Sequence, residues 1–179
     1  MENEEPQPQQ PASESPPAAT RRLTATAYHE AGHAVMALTL GRPIHKVTIS
    51  PAQLQTGGSR LGACKIDKGR FKSSKDWLED DVLILFAGMV AESHFTGQYC
   101  EQGAAQDLRA ARRLLANRAN SERQLERLES RLLDKAEHLL GDRSHARAIE
   151  LIAQELLQKE TISGRSVRHL FQQAVQHDS

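Results

Sequence analysis

Tyr28-His29-Glu30-Ala31-Gly32-His33-Ala34-Val35 lies inside a segment whose pattern predicts a helix over about residues 25–40. Tyr28, Ala31, Val35 and Leu38 recur at helical spacing, Thr24 or Thr26 stands where an N-cap is needed, and Gly41 and Pro43 stop the run. Residues four apart share a helical face, so the imidazoles of His29 and His33 can reach one metal ion while Glu30 projects beside them. This is the H-E-x-x-H arrangement in which two histidines hold zinc and the glutamate activates the attacking water. Zinc lowers the pKa of a bound water to about 7, and an adjacent carboxylate can take the proton as a carbonyl is attacked. The implied chemistry is peptide hydrolysis with one Zn2+ per chain.

Two other readings of the motif are weaker. A surface helix with two solvated histidines would not carry Ala27, Ala31, Ala34 and Val35 around them, and this crowding by small apolar residues points to a buried site. Glu30-x-x-His33 is also half of a di-iron carboxylate motif, which needs a second copy that the sequence lacks. Imidazole and carboxylate ligands suit other first-row ions as well as zinc.

A catalytic zinc of this type needs a third protein ligand and an open position. His45, His138, His145, His169 and His177 fall in loops or polar stretches and are expected at the surface. Asp107 lies in the first turn of a predicted helix with Ala111 and Leu114 four and seven residues on, at the edge of a buried face. A charge there needs a partner such as zinc. Equally, it can simply complement the positive end of the helix, and spacing alone leaves both readings open.

Outward from this segment, the chain of 179 residues has room for one domain. Residues 1–22 hold five of the seven prolines with several Gln and Glu, and are expected to form a disordered tail ahead of a domain over 23–179. Val47 to Ile49 and Leu61 to Ile66 read as short strands around Gly57 and Gly58. Ser73 or Ser74 is expected to open a second helix, apolar on nearly every side from Val82 to Ala91, which belongs inside a bundle. Further helices follow from about Ala104 to Asn117 and along Leu125, Leu128, Leu132, Ala136 and Leu139, with Ser144 and Ser163 as caps for two more. The fold class expected is mainly α, a multi-helix domain with a short two- to three-stranded β element.

Lys plus Arg total 23 and Asp plus Glu total 23, so no net charge draws the chain to nucleic acid. Cys64 and Cys100 form no Cys-x-x-Cys pair and are expected as reduced thiols. Glu2, Glu4 and Glu5 stand where a signal peptide would be basic, and the run from Val82 to Ala91 is about half the roughly 18 residues that begin to suggest a membrane span. The expected location is cytoplasmic, with no membrane span.

Beyond the metal motif, His45-Lys-Val-Thr-Ile49 with Pro51, Leu61-Gly62, Leu85-Phe-Ala-Gly-Met-Val-Ala-Glu92, Gly97 through Gly103-Ala-Ala-Gln-Asp-Leu108, and Lys159-Glu-Thr-Ile-Ser-Gly164 follow in order. Together with Tyr28 to Ala34 they resemble the peptidase domain of FtsH-type zinc metalloproteases over roughly residues 24–176. The resemblance implies a zincin-type, mainly helical domain in which Asp107 is the third zinc ligand. It further implies that Glu92 orients a zinc histidine from behind, and that Leu61, Gly62, Ala63 and Cys64 belong to a strand to which an extended polypeptide substrate adds by main-chain hydrogen bonds. A homo-oligomeric ring and a separate ATPase partner are implied in the same way.

The departures are specific. No G-x-x-x-x-G-K-[ST] occurs, Met89-Val90 replaces a Gly-Arg-Ala-like stretch, Ser93 stands where a second acid is usual, and Ala105-Gln106 replaces a polar pair. The leading expectation is an ATP-independent zinc metalloendopeptidase acting on unfolded or flexible polypeptides. The alternative is a non-catalytic, zinc-containing binding or scaffold subunit, against which Glu30 argues because zinc binding does not require it.

Overall fold

Pro16 and Pro17 open helix α1 (Pro16–Thr39), nine residues earlier than its apolar periodicity suggests. Proline in a first turn has a pre-set φ and no N–H to leave unsatisfied, and Ala18, Ala19, Arg21 and Arg22 are good helix formers, so exposed residues extend the helix beyond its buried part. Thr24 and Thr26 are therefore interior positions, not caps: their hydroxyls donate to the carbonyls of Thr20 and Arg22, both at 3.0 Å. The computed structural model describes residues 16–53, 59–60, 62–66 and 76–176. Residues 1–15 of the expected tail lie outside these; residues 16–22 are the first turns of α1.

The C-terminus of α1 closes as the glycine signal suggests. Gly41 takes φ 73°, its N–H bonds to the carbonyl of Leu38, and the Arg42 N–H bonds back to that of Ala37 at 2.7 Å. This is a Schellman motif, which satisfies the last carbonyls. The Arg42 guanidinium then lies 4.8 Å above the Trp77 ring and bonds Asp81 at 2.7 Å, tying the end of α1 to the start of the next helix.

After α1 the chain forms β1 (Ile44–Thr48), a two-stranded ladder of β2 (Ala52–Gln53) and β3 (Ser59–Arg60), and β4 (Ala63–Ile66). Helices α2 (Trp77–Thr96), α3 (Ala105–Ala116), α4 (Glu122–Leu140) and α5 (Arg143–Lys159) follow, then β5 (Thr161–Ser163) and α6 (Gly164–Gln176). The sheet order is β4-β1-β5, antiparallel throughout, with Val47 opposite Cys64 on one side and Ile162 on the other. Strand β5 has no signal in the local pattern beyond Thr161-Ile162; three residues between two helices are too few to show a period.

The cap expected at Ser73 or Ser74 lies outside the described residues; α2 is capped by Asp76, whose carboxylate accepts from the Glu79 N–H at 3.0 Å. Asp142, and not Ser144, caps α5 by accepting from the N–H groups of both Ser144 and His145, because its ionised carboxylate stands before the first turn. Ser163 accepts from the Ser166 N–H at 3.2 Å, in keeping with the cap expected there.

Asp76 also ties two elements together. Arg118, just beyond α3, places its guanidinium on the Asp76 carboxylate, and this pairing, with the Glu79 N–H, lowers the carboxyl from 3.8 to about 2. A depressed carboxylate contributes stability above its unfolded pKa and loses it as pH falls through its folded one. Asp76→Ala is expected to cost about 1 kcal/mol at neutral pH through the lost cap, the exposed ion pair adding little. The difference from wild type should shrink below about pH 4 and be lost only below about pH 2 in urea titrations; a pH-independent difference would exclude this origin.

The core is built around α1 and α2. Ala27, Ala31, Ala34, Val35 and Met36 of α1 are fully buried against Val82, Leu83, Ala87 and Val90 of α2, with Leu132 and Leu140 of α4 and Ile152 and Leu156 of α5 closing the other sides. Small residues let α1 and α2 approach very closely: a Cβ on Gly32 would lie 2.4 Å from the Ala87 carbonyl oxygen. That approach sets the depth at which the α1 histidines meet α2.

Candidate metal centre

His29 and His33 project from the buried face of α1, four residues apart, with ring centroids 4.7 Å apart and the rings nearly perpendicular. Each ring is held from behind. The His29 Nδ1 lies 2.9 Å from Glu92 Oε2 near the end of α2, and the His33 Nδ1 lies 2.7 Å from the Ile84 carbonyl one helix over. Both partners are acceptors, so each Nδ1 donates to them and each Nε2 faces inward.

Asp107 enters from the first turn of α3. Its Oδ2 is 3.2 Å from His29 Nε2 and 3.3 Å from His33 Nε2, and the three ligand atoms lie within 4.8 Å of one another. Among the described residues, no other group of three or more His, Cys, Asp or Glu side chains converges in this way. Spacing leaves two readings of Asp107 open; in the structure its carboxylate faces the imidazoles.

The residues present fit a metal ion by three separate tests. The buried His33 Nε2 has no hydrogen-bond partner of its own. Gly88 of α2 leaves open the space in front of both rings, since a Cβ there would lie 2.5 Å from His29 Nε2 and 2.6 Å from His33 Nε2. Two imidazole nitrogens and one carboxylate oxygen are a donor set that zinc accepts while keeping a further position open.

The electrostatics agree. Burial works against a charged His29, but the hydrogen bonds to Asp107 and Glu92 and the charges of Glu30 and Asp107 outweigh it and raise the imidazole from 6.5 to about 9. Burial also works against ionised Asp107, and the adjacent imidazoles of His29 and His33 overcome it, holding the carboxyl well below the usual range. The surroundings thus favour positive charge at one point between these three side chains.

Glu30, 4 % exposed, sits next to the metal group and beneath the entry to β4: a Cβ on Gly62 would lie 2.7 Å from Glu30 Oε1. A cleft of about 520 Å³ opens over this arrangement and is lined by His29, Glu30, Gly62, Glu92 and Asp107 among others. Ala63 and Cys64 lie on β4, an edge of its sheet, whereas Leu61 lies outside the described residues.

Of the other histidines, His45, His138 and His169 are exposed, and His177 lies outside the described residues. His145 is not a surface residue as expected: it is half-buried, 2.7 Å from the Leu139 carbonyl, 3.2 Å from the Thr39 hydroxyl and stacked on Phe171. None of the five described ones, counting exposed His94 beside Glu137, enters the group of His29, His33 and Asp107. Residue-by-residue reading missed Gly88 and the Ile84 carbonyl. A carbonyl has no sequence signal, but a lone glycine inside an apolar helix costs about 1 kcal/mol relative to alanine, and that is a signal.

Glu92→Gln keeps a hydrogen-bonding side chain but removes the charge that faces His29 Nδ1. It is expected to lower zinc affinity by about 10- to 100-fold without changing the far-ultraviolet circular dichroism. Competition against a chromophoric chelator measures this, and wild-type affinity would remove Glu92 from the site.

The sequence profile of peptidase family M41 matches residues 18–121. An ATP-dependent zinc metalloprotease FtsH of Acidimicrobium ferrooxidans is 29 % identical over 84 % of this chain and 28 % of its own length. FtsH 3 of Petrotoga mobilis is 30 % identical over 82 % and 28 %. The FtsH of Protochlamydia amoebophila is 41 % identical over 50 % of the chain and 10 % of its own length. The chain thus spans about a quarter or less of these relatives. None of the described helices is long and apolar enough to cross a membrane.

Proposed function

The chain belongs to peptidase family M41, and from that premise we propose that it is a zinc metalloendopeptidase that hydrolyses peptide bonds in unfolded or flexible polypeptides without consuming ATP itself. The observation that carries this reading is the convergence of His29, His33 and Asp107 within 4.8 Å, with buried Glu30 beside them at the floor of an open cleft.

His29, His33 and Asp107 would hold the ion. Zinc, when bound, supplies Lewis-acid polarisation of a carbonyl and a lowered pKa for water. Glu92 and the Ile84 carbonyl accept the Nδ1 protons and keep both rings from turning. Glu30 takes a proton from the attacking water onto its carboxylate and delivers it to the leaving amine. The edge of β4 from Gly62 through Cys64 aligns an extended substrate through its main chain, so the enzyme reads backbone shape and requires an unfolded segment. Assembly into a ring and delivery of substrate by a separate ATPase complete the reading.

The test is digestion of casein by the zinc-loaded chain without ATP. Wild type is expected to cut and to stop with a chelator, and Asp107→Ala is expected to lose both zinc and activity. A zinc-loaded wild type that leaves casein intact would instead favour a binding subunit.

A further inference from the structure

We propose that Gly62 is a positioning residue for Glu30: the Cβ it lacks is space that the Glu30 side chain fills, and a larger residue there moves the base from its place beside the metal group. This rests on the peptidase reading. A Cβ on Gly62 would lie 2.7 Å from Glu30 Oε1, 2.8 Å from Cγ and 3.0 Å from Cδ. Carbon atoms in ordinary contact stand about 3.5–4.0 Å apart, so the two side chains cannot share this space. Backbone conformation does not account for the glycine. Among the described residues the glycines with positive φ are Gly41 and Gly97, and a Cβ on either would meet nothing within 4 Å. Gly62 is the reverse case: its φ lies outside that region, and the constraint is space.

The contact is fixed from both sides. Ala63, the next residue, pairs with Thr48 of β1 and so pins the start of β4, while Glu30 is buried in the interior of α1 beside His29. The identity of the neighbours then decides what a substitution does. A Cβ on Gly32 or Gly164 would strike main-chain atoms, of Ala87 and of Ile44, and would force whole elements apart. On Gly62 the three nearest atoms all belong to one side chain, whose torsions can turn between staggered wells while helix and strand stay in place. Alanine at position 62 therefore relocates the carboxylate and spares the fold. It also spares the ligands, since the glycine that faces His29 and His33 is Gly88. As part of the strand edge Gly62 offers a substrate its N–H and C=O, and alanine keeps both. Substrate alignment and base placement meet at this residue, but only the second needs the bare Cα.

Gly62→Ala, Glu30→Ala and the double variant are compared with wild type as the whole, zinc-loaded chain. In urea titrations Gly62→Ala is expected to lower the midpoint in the wild-type background. In the Glu30→Ala background it is expected to raise the midpoint, because the new methyl enters space that the carboxylate has left. Should Gly62→Ala alone fail to fold, the double variant is still expected to fold. Zinc affinity of Gly62→Ala, by chelator competition, is expected to match wild type. With a quenched fluorescent casein peptide, kcat is expected to fall about 100-fold, the loss for a misplaced group, at unchanged KM. Equal midpoint shifts in both backgrounds, a double variant that does not fold, zinc loss, or a wild-type kcat overturns the proposal. A raised KM at unchanged kcat assigns Gly62 to substrate binding alone and overturns it too. Opposite midpoint shifts with a wild type that leaves the peptide uncut overturn only the peptidase reading, and Gly62 remains the residue that makes room for Glu30.

Discussion

Glu30→Gln is expected to bind zinc as wild type does and to lose peptide hydrolysis by about 10²- to 10⁴-fold, the range over which a positioned general base acts. The substitution is nearly isosteric and leaves His29, His33 and Asp107 in place, so the metal group has no reason to change. What it removes is the ability to hold a proton. Glu30 is 4 % exposed and is packed against Gly62, so bulk water cannot readily stand in for it. Metal content by elemental analysis and casein digestion on the same sample decide the outcome. Zinc loss equal to that of Asp107→Ala would make Glu30 part of the metal shell. Unchanged hydrolysis would assign the base elsewhere.

Gly88→Ala is the second large effect, and its sign runs against ordinary helix energetics. In the interior of a helix, alanine is favoured over glycine by about 1 kcal/mol. Here the added Cβ would lie 2.5 Å from His29 Nε2 and 2.6 Å from His33 Nε2, on the side from which both rings face the metal. A clash with the tip of a flexible side chain can be relieved by rotation. These rings cannot rotate freely, because their Nδ1 atoms are held by Glu92 and by the Ile84 carbonyl. Zinc affinity is therefore expected to fall by at least about 100-fold, as for disruption of the ligand shell, while the helical circular dichroism persists. Normal zinc binding by Gly88→Ala would mean that the α1–α2 approach is looser than the close contact of Gly32 with Ala87 implies.

The two predictions draw on different levels of organisation. Glu30 can be picked out from the chain alone, because H-E-x-x-H is a local pattern and a helix converts a spacing of four into a shared face. The amphipathic stripes of α4 and α6 and the apolar belt of α2 are legible for the same reason, as are the glycine that ends α1 and the serine that caps α6. Local signals fail where several acceptors compete near a helix start: Asp76 and Asp142 take the caps, and Thr24 and Thr26 are overrun by a helix that starts at Pro16.

The sequence by itself determined the α-rich class, the two histidines with their glutamate, and the family to which these belong. Only the tertiary structure decided what meets them. Ile84, Glu92 and Asp107 are 51, 63 and 78 residues away along the chain from their histidine partners, and Gly88 matters solely because α2 passes so close to α1. Helical periodicity specifies which side chains share a face over a few turns. Which faces come together depends on the packing of whole elements, whose contacts have no period in the sequence.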